Sequence, residues 1–198
     1  MARLVCLPLL LFLRPKKLTP EGEKYRENLV GGAILSANHT SFFDPFAVGV
    51  SFWYRRIFFF VAEIVMRGKF RPILLKGVGC IKVERSIADV EAIKKAIAIL
   101  KEGHPLTVFP QGGISDESEV SALKSGAVLM ALQAGVPIIP MHIYKRKKWY
   151  DRLTVVIGKT IYPNEMITKK IPSTADIERI SEALLEEMNR CAVFEKEI

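Results

Sequence analysis

The chain has 198 residues, 49% of them hydrophobic and 25% charged, which excludes a disordered polypeptide and is enough for one domain with a substantial core. Lys and Arg outnumber Asp and Glu 29 to 21, a net charge of +8 that favours an anionic partner: nucleic acid, an anionic membrane or a phosphorylated substrate. Three cysteines at wide spacing (Cys6, Cys80, Cys191) exclude a disulfide scaffold and show no metal-ligand spacing, so they read as reduced thiols on the cytosolic side.

Leu4 to Leu13 is an apolar run broken by Pro8 and followed by Arg14, Pro15, Lys16 and Lys17. A spanning helix needs about 20 apolar residues, so this run is too short to cross a bilayer. No small-residue cleavage site follows it. Residues 1–18 are therefore expected to be a short membrane-associating segment, apolar side chains dipping into one leaflet and the basic flank meeting headgroups. A buried N-terminal segment is the alternative. Residues 19–198 are expected to form a single domain.

Within that domain, strands and helices alternate. Ala33–Ala37, Ile57–Val61 and Cys80–Val83 are short apolar runs that predict buried strands. A helix follows over about 88–101, with Val90, Ile93, Ile97 and Leu100 at helical spacing and Gly103 to end it. Leu106–Phe109 predicts a strand closed by Pro110, and a second helix runs over about 120–134 to Gly135. Strands are expected over 136–144 and 153–157. The last helix starts at Ser173 with Asp176 in capping-box geometry, and its core face is Ile177, Ile180, Leu184, Met188 and Cys191. This order predicts an α/β fold with a central, mostly parallel or mixed sheet flanked by helices.

The stretch Asn38-His39-Thr40-Ser41-Phe42-Phe43-Asp44-Pro45 directly follows a predicted buried strand, where α/β folds build sites. On a continuous helix, His39 and Asp44 would point about 140° apart. They meet only if a turn separates them, with Asp44 near a helix start. The carboxylate would then fix the imidazole tautomer and leave the other ring nitrogen to take a proton from a hydroxyl. On the residues alone a second reading stands beside this one: Asp44 as a helix N-cap ahead of Pro45, and Asn38 and His39 as turn residues.

This stretch resembles the N-H-x4-D motif of the glycerolipid acyltransferases, the lysophosphatidate acyltransferase family. Gly79-Cys80-Ile81-Lys82-Val83-Glu84-Arg85 is similar to the family's second motif. Phe109-Pro110-Gln111-Gly112-Gly113-Ile114-Ser115 stands where its third, F-P-E-G-T-R-S, is expected, and Val136-Pro137-Ile138-Ile139-Pro140 is similar to its fourth. The resemblance runs from about Gly32 to His142. It implies an enzyme that moves an acyl group from acyl-CoA or acyl carrier protein to the free hydroxyl of a lysophospholipid, most often 1-acylglycerol-3-phosphate, in phospholipid biosynthesis. It implies His39 as base and Asp44 as its orienter, Arg85 as the main anion contact, and Gln111, Gly112 and Gly113 as substrate-binding positions. No metal or bound cofactor is implied. The expected place is peripheral or monotopic on the cytoplasmic face of a membrane. Nucleic acid is not an expected partner, because the ordered motifs do not fit one.

The family pattern breaks at four positions. Gln111, Gly113 and Ile114 stand where Glu, Thr and Arg are usual, and Glu63 stands near an expected lysine. Two cationic contacts to an acceptor phosphate are thereby missing. Lys76, Lys82 and Lys124 could compensate or be solvated surface residues. A non-phosphate acceptor, or a silent lipid-binding member of the family, remains an alternative.

Other features carry less specific signals. Lys145-Arg146-Lys147-Lys148 with Trp149 and Tyr150 suits a membrane interface, an acidic carrier protein, single-stranded nucleic acid or a solvated loop. Phe42, Phe43 and Phe46 suit an acyl channel wall or ordinary core, as do Phe52, Trp53 and Tyr54. His104 and His142 have no identifiable partner in the sequence. Cys80 reads as packing, since an acyl-cysteine route needs an adjacent base.

Overall fold

Short runs of β-branched and aromatic residues between glycine-bearing turns set the strands. A computed structural model describes residues 13, 15–66, 71–77, 79–83, 89–111, 125–146, 148, 151–168 and 171–193. Seven strands form one sheet: β1 (Lys16–Leu18), β2 (Ile34–Ala37), β3 (Phe58–Ala62), β4 (Cys80–Val83), β5 (Leu106–Val108), β6 (Ile138–Ile143) and β7 (Thr154–Ile157). The helices are α1 (Asp44–Ser51), α2 (Arg71–Gly77), α3 (Val90–Lys101), α4 (Gly126–Ala134), α5 (Pro163–Met166) and α6 (Thr174–Val193), with a 3-10 turn over Glu63–Met66.

The strand order is β1-β7-β6-β2-β5-β3-β4. From β6 to β4 all pairings are parallel, while β7 runs antiparallel to β6 and β1 runs parallel to β7, so the sheet is mixed. Both faces are covered, which is why the strands read as apolar runs and not as alternation. On one face Ile34, Leu106 and Ile138 pack with Ala96, Leu100, Val128, Leu184 and Met188 of α3, α4 and α6. On the other, Leu35, Ala37 and Met141 pack with Ala47, Val48 and Phe52 of or beside α1.

Two expectations shift. The core face of α3 is Ala92, Ala96, Ile99 and Leu100, not the stripe through Val90 and Ile93, and Val90 is 55% exposed. At its carboxyl end the helix comes close to the chain ahead of β2: a Cβ on Gly32 would lie 2.1 Å from the Leu100 carbonyl oxygen. Secondly, Lys16 and Lys17 of the expected headgroup-facing flank are part of β1, whose residues pair with Thr154 to Val156. The Lys17 ammonium sits 4.9 Å from the Phe52 ring centroid, with Tyr25 and Tyr54 at 5.7 and 5.8 Å, and burial lowers its pKa. Residues 1–12 lie outside the described residues. No described helix is long and apolar enough to cross a membrane.

The terminal helix follows the sequence reading. Asp176 Oδ2 accepts from Ser173 N–H at 3.0 Å and from its hydroxyl at 2.7 Å, while Ser173 Oγ accepts from Asp176 N–H at 3.2 Å. Ile180, Leu184, Met188 and Cys191 are buried, as expected. Gly135, at φ 71°, ends α4 in the left-handed conformation that lacks a steric penalty only for glycine.

Candidate active site

The chain leaves β2 between two neighbours that lie on opposite sides of it: β5 and β6. Such a reversal opens a crevice at the carboxyl ends of the strands. The segments after β2, β5 and β6 all meet there.

Asn38 begins the construction. As β2 ends, its buried side-chain amide continues the ladder to β6: Nδ2 donates to the Ile143 carbonyl at 3.1 Å, and Oδ1 accepts from Ile143 N–H at 2.7 Å. The main chain is thereby free to turn away. The turn closes with Asp44 N–H donating to the Ser41 carbonyl at 3.1 Å, and α1 starts at Asp44 with Pro45 in its first turn. Phe43, not Asp44, is the N-cap residue, so the capping reading is displaced by one position.

Within this turn, Asp44 Oδ2 accepts from Thr40 N–H at 2.7 Å and Ser41 N–H at 2.8 Å, and stands 3.1 Å from His39 Nδ1. The carboxylate accepts only, so Nδ1 carries the proton and Nε2 is the basic nitrogen. The five-residue spacing works because a turn, not a helix, lies between the two side chains. The Asp44 side chain is 5% exposed and that of His39 14%, so the orienting group is sealed while the imidazole retains an opening.

The segment after β5 clasps the same histidine. The Phe109 ring stacks on the imidazole with centroids 4.2 Å apart and planes 20° apart. Gln111 Oε1 accepts from His39 N–H at 3.1 Å. Gln111 thus holds the histidine's backbone with its side-chain carbonyl. Gly112, Gly113, Ile114, Arg85 and Lys124 lie outside the described residues, as do Lys147, Trp149 and Tyr150.

His142, which has no identifiable partner in the sequence, is buried on β6 with the Tyr144 ring centroid 4.6 Å away. Burial pushes its pKa down to about 4, against a weaker upward pull from the Asp44 carboxylate. It stays neutral at pH 7 and behaves as part of the floor beneath the turn. His104 packs against the Phe58 ring at 5.5 Å. Burial pushes the Cys80 thiol up to about 11, consistent with packing and not with a nucleophile.

The basic candidates diverge. Lys82 Nζ lies 3.0 Å from Glu63 Oε1, both side chains about half exposed, so the unusual glutamate faces a neighbouring lysine. Lys76 is exposed. Phe52 is core, Trp53 is partly exposed, and the Tyr54 hydroxyl accepts from Leu29 N–H at 3.0 Å. Arg55, which the sequence leaves without a role, binds three carbonyls, those of Leu29, Gly31 and Gly103, at 2.7 to 2.8 Å and fixes the loops at the opposite end of the sheet.

Asn38 and Phe109 are the positioning residues that spacing alone does not reveal. The signal was present in the quoted motifs, but a ladder-mimicking amide and a ring stack are three-dimensional facts.

The comparisons with known proteins agree with this geometry. A family model described as Acyltransferase matches residues 17–144. A 1-acyl-sn-glycerol-3-phosphate acyltransferase of Bacillus subtilis is 25% identical over 170 residues, 80% of this chain and 81% of that protein. The like-named protein of Borreliella burgdorferi is 28% identical over 149 residues, 73% of this chain but 58% of its own length. The crystal structure of a 1-acyl-sn-glycerophosphate (LPA) acyltransferase, PlsC, from Thermotoga maritima shares the fold, with a TM-score of 0.63 over 95% of this chain and 77% of that one, at 18% identity. With well over half its length matched by the family model, this chain belongs to the glycerolipid acyltransferases and is an O-acyltransferase of phospholipid metabolism.

Proposed function

We propose that this chain transfers a fatty acyl group from acyl-CoA or acyl carrier protein to the free hydroxyl of a lysophospholipid, 1-acylglycerol-3-phosphate being the leading acceptor. His39 Nε2 takes the proton of the acceptor hydroxyl as its oxygen attacks the thioester carbonyl carbon. Asp44 keeps Nδ1–H in place and offsets the charge of the imidazolium that forms. The tetrahedral intermediate collapses with cleavage of the C–S bond, and the imidazolium returns the proton to the departing sulfur. The ester oxygen is the acceptor's own, and no acyl group rests on the protein. Backbone N–H groups of Gly112 and Gly113 are assigned to the oxyanion, since glycine lets the main chain approach closely. Arg85 is assigned to the acceptor phosphate, which its planar fork suits. The reaction takes place at the cytoplasmic face of a membrane, with the apolar residues ahead of Arg14 as an anchor.

The observation that carries this reading is the His39–Asp44 pair, oriented by two backbone amides and left with an opening. The names of the relatives support the acceptor. One observation favours a second acceptor class: Glu63 occupies Lys82, and Ile114 replaces an arginine, which leaves less positive charge for a phosphate. The test is thiol release from acyl-CoA and from acyl carrier protein with a panel of phosphorylated and neutral lysolipids. The proposal expects turnover with lysophosphatidate and its dependence on Arg85. Turnover with neutral acceptors alone would establish the second class, and no turnover with any pair would refute both.

A further inference from the structure

Phe42, Phe43 and Phe46 were candidates for channel wall or core, yet they are 64%, 73% and 42% exposed. They surround the start of α1, on the turn that carries His39 and Asp44. Phe43 and Phe46 are three apart and their rings lie 6.4 Å apart, forming one apolar patch with Phe42 beside it. Three large aromatic side chains held in water cost free energy unless something covers them.

Positive charge at the same end of the sheet indicates what covers it. β2 and β6 are parallel with Ala37 opposite Met141, so the segments that follow them leave the sheet at the same end. After β2 come the phenylalanines; after β6 comes the basic run, whose Lys145 and Lys148 are exposed. Aromatic rings beside cations are what a bilayer interface selects, rings at headgroup depth and ammonium groups among phosphates.

We infer that Phe42, Phe43 and Phe46 form a wedge that enters an anionic lipid surface, with the exposed Lys145 and Lys148 toward the headgroups. This wedge sets the opening of His39 directly at the surface that supplies the lysolipid. The inference rests on the proposed amphiphilic acceptor and adds a second membrane contact, separate from residues 1–12.

The test uses the full chain and vesicles of phosphatidylcholine with and without phosphatidylglycerol, some carrying brominated acyl chains. Phe43→Trp is expected to gain blue-shifted emission that brominated lipid quenches, above the background of Trp53 and Trp149. Phe42→Ser/Phe43→Ser is expected to bind the anionic vesicles roughly ten-fold more weakly or worse, as lost apolar contact requires. Binding should weaken with added salt. His39→Ala should bind vesicles like the parent, which separates this inference from the chemistry. If quenching appears while no donor and acceptor pair turns over, the wedge stands and the acyltransferase proposal fails. A vesicle-bound Phe43→Trp protein without quenching overturns the wedge, whether the rings meet residues 1–12 or a second copy. Unchanged binding by the double serine variant, or no vesicle binding by the parent, overturns it equally.

Discussion

At the scale of single residues, the site depends on backbone amides as much as on its two titratable groups. Asp44 Oδ2 accepts from the Thr40 and Ser41 amides as well as facing His39, so the backbone of the turn holds the carboxylate in the position that orients the imidazole. Asn38 fixes the point from which the turn departs, with both of its amide atoms bonded to Ile143. Asn38→Ala leaves a buried N–H and a buried carbonyl without their partner, a loss of about 2–3 kcal/mol. Misplacement of His39 is then expected to reduce turnover roughly ten- to hundred-fold. Asn38→Asp should not rescue it, because a carboxylate accepts from Ile143 N–H but repels its carbonyl. Urea titrations and turnover at saturating acceptor measure the two effects. Wild-type turnover in Asn38→Asp would contradict this role.

At the scale of elements, periodicity located most strands and the terminal helix, since apolar runs bounded by glycine and a capping box are local signals. It placed Leu100 and Ile97 of α3 against the core correctly, but not Val90 and Ile93, which are exposed. The pattern through Val90, Ile93 and Ile97 is amphipathic, but Ala92, Ala96 and Ile99 are buried alongside Leu100, and the Leu100 main chain comes so close to Gly32 that a Cβ there would lie 2.1 Å from its carbonyl oxygen. Gly32→Ala is therefore expected to destabilise the fold by about 1–3 kcal/mol or more, through overpacking against Leu100. Val90→Ala should change it by no more than about 0.5 kcal/mol. Denaturant midpoints for the pair check this, and a reversed order would restore the stripe read from the sequence. β1 was invisible for a different reason. Its three residues carry two lysines, and only the aromatic cage of Tyr25, Phe52 and Tyr54 makes Lys17 acceptable there. The His39–Asp44 pair, by contrast, was legible through motif order, because a turn between two segments must be inferred from company and not from spacing.

For the whole molecule, the mixed sheet brings the ends of β2, β5 and β6 to one crevice and buries His142 beneath it. That burial links stability to pH. The unfolded chain takes up a proton on His142 near pH 6.5, whereas the fold resists until about pH 4. The unfolded state binds more protons in between, so stability is complete above pH 6.5 and declines as pH falls toward 4. The loss between pH 7 and pH 5 is about 2 kcal/mol, and His142→Gln should flatten that slope in urea titrations at the two pH values. The most direct test of the account is thiol release by His39→Ala with acyl-CoA and lysophosphatidate, alongside its thermal unfolding. The proposed base predicts a folded variant whose turnover falls by at least about 10²-fold. A folded variant that turns over within a few-fold of the parent would contradict it.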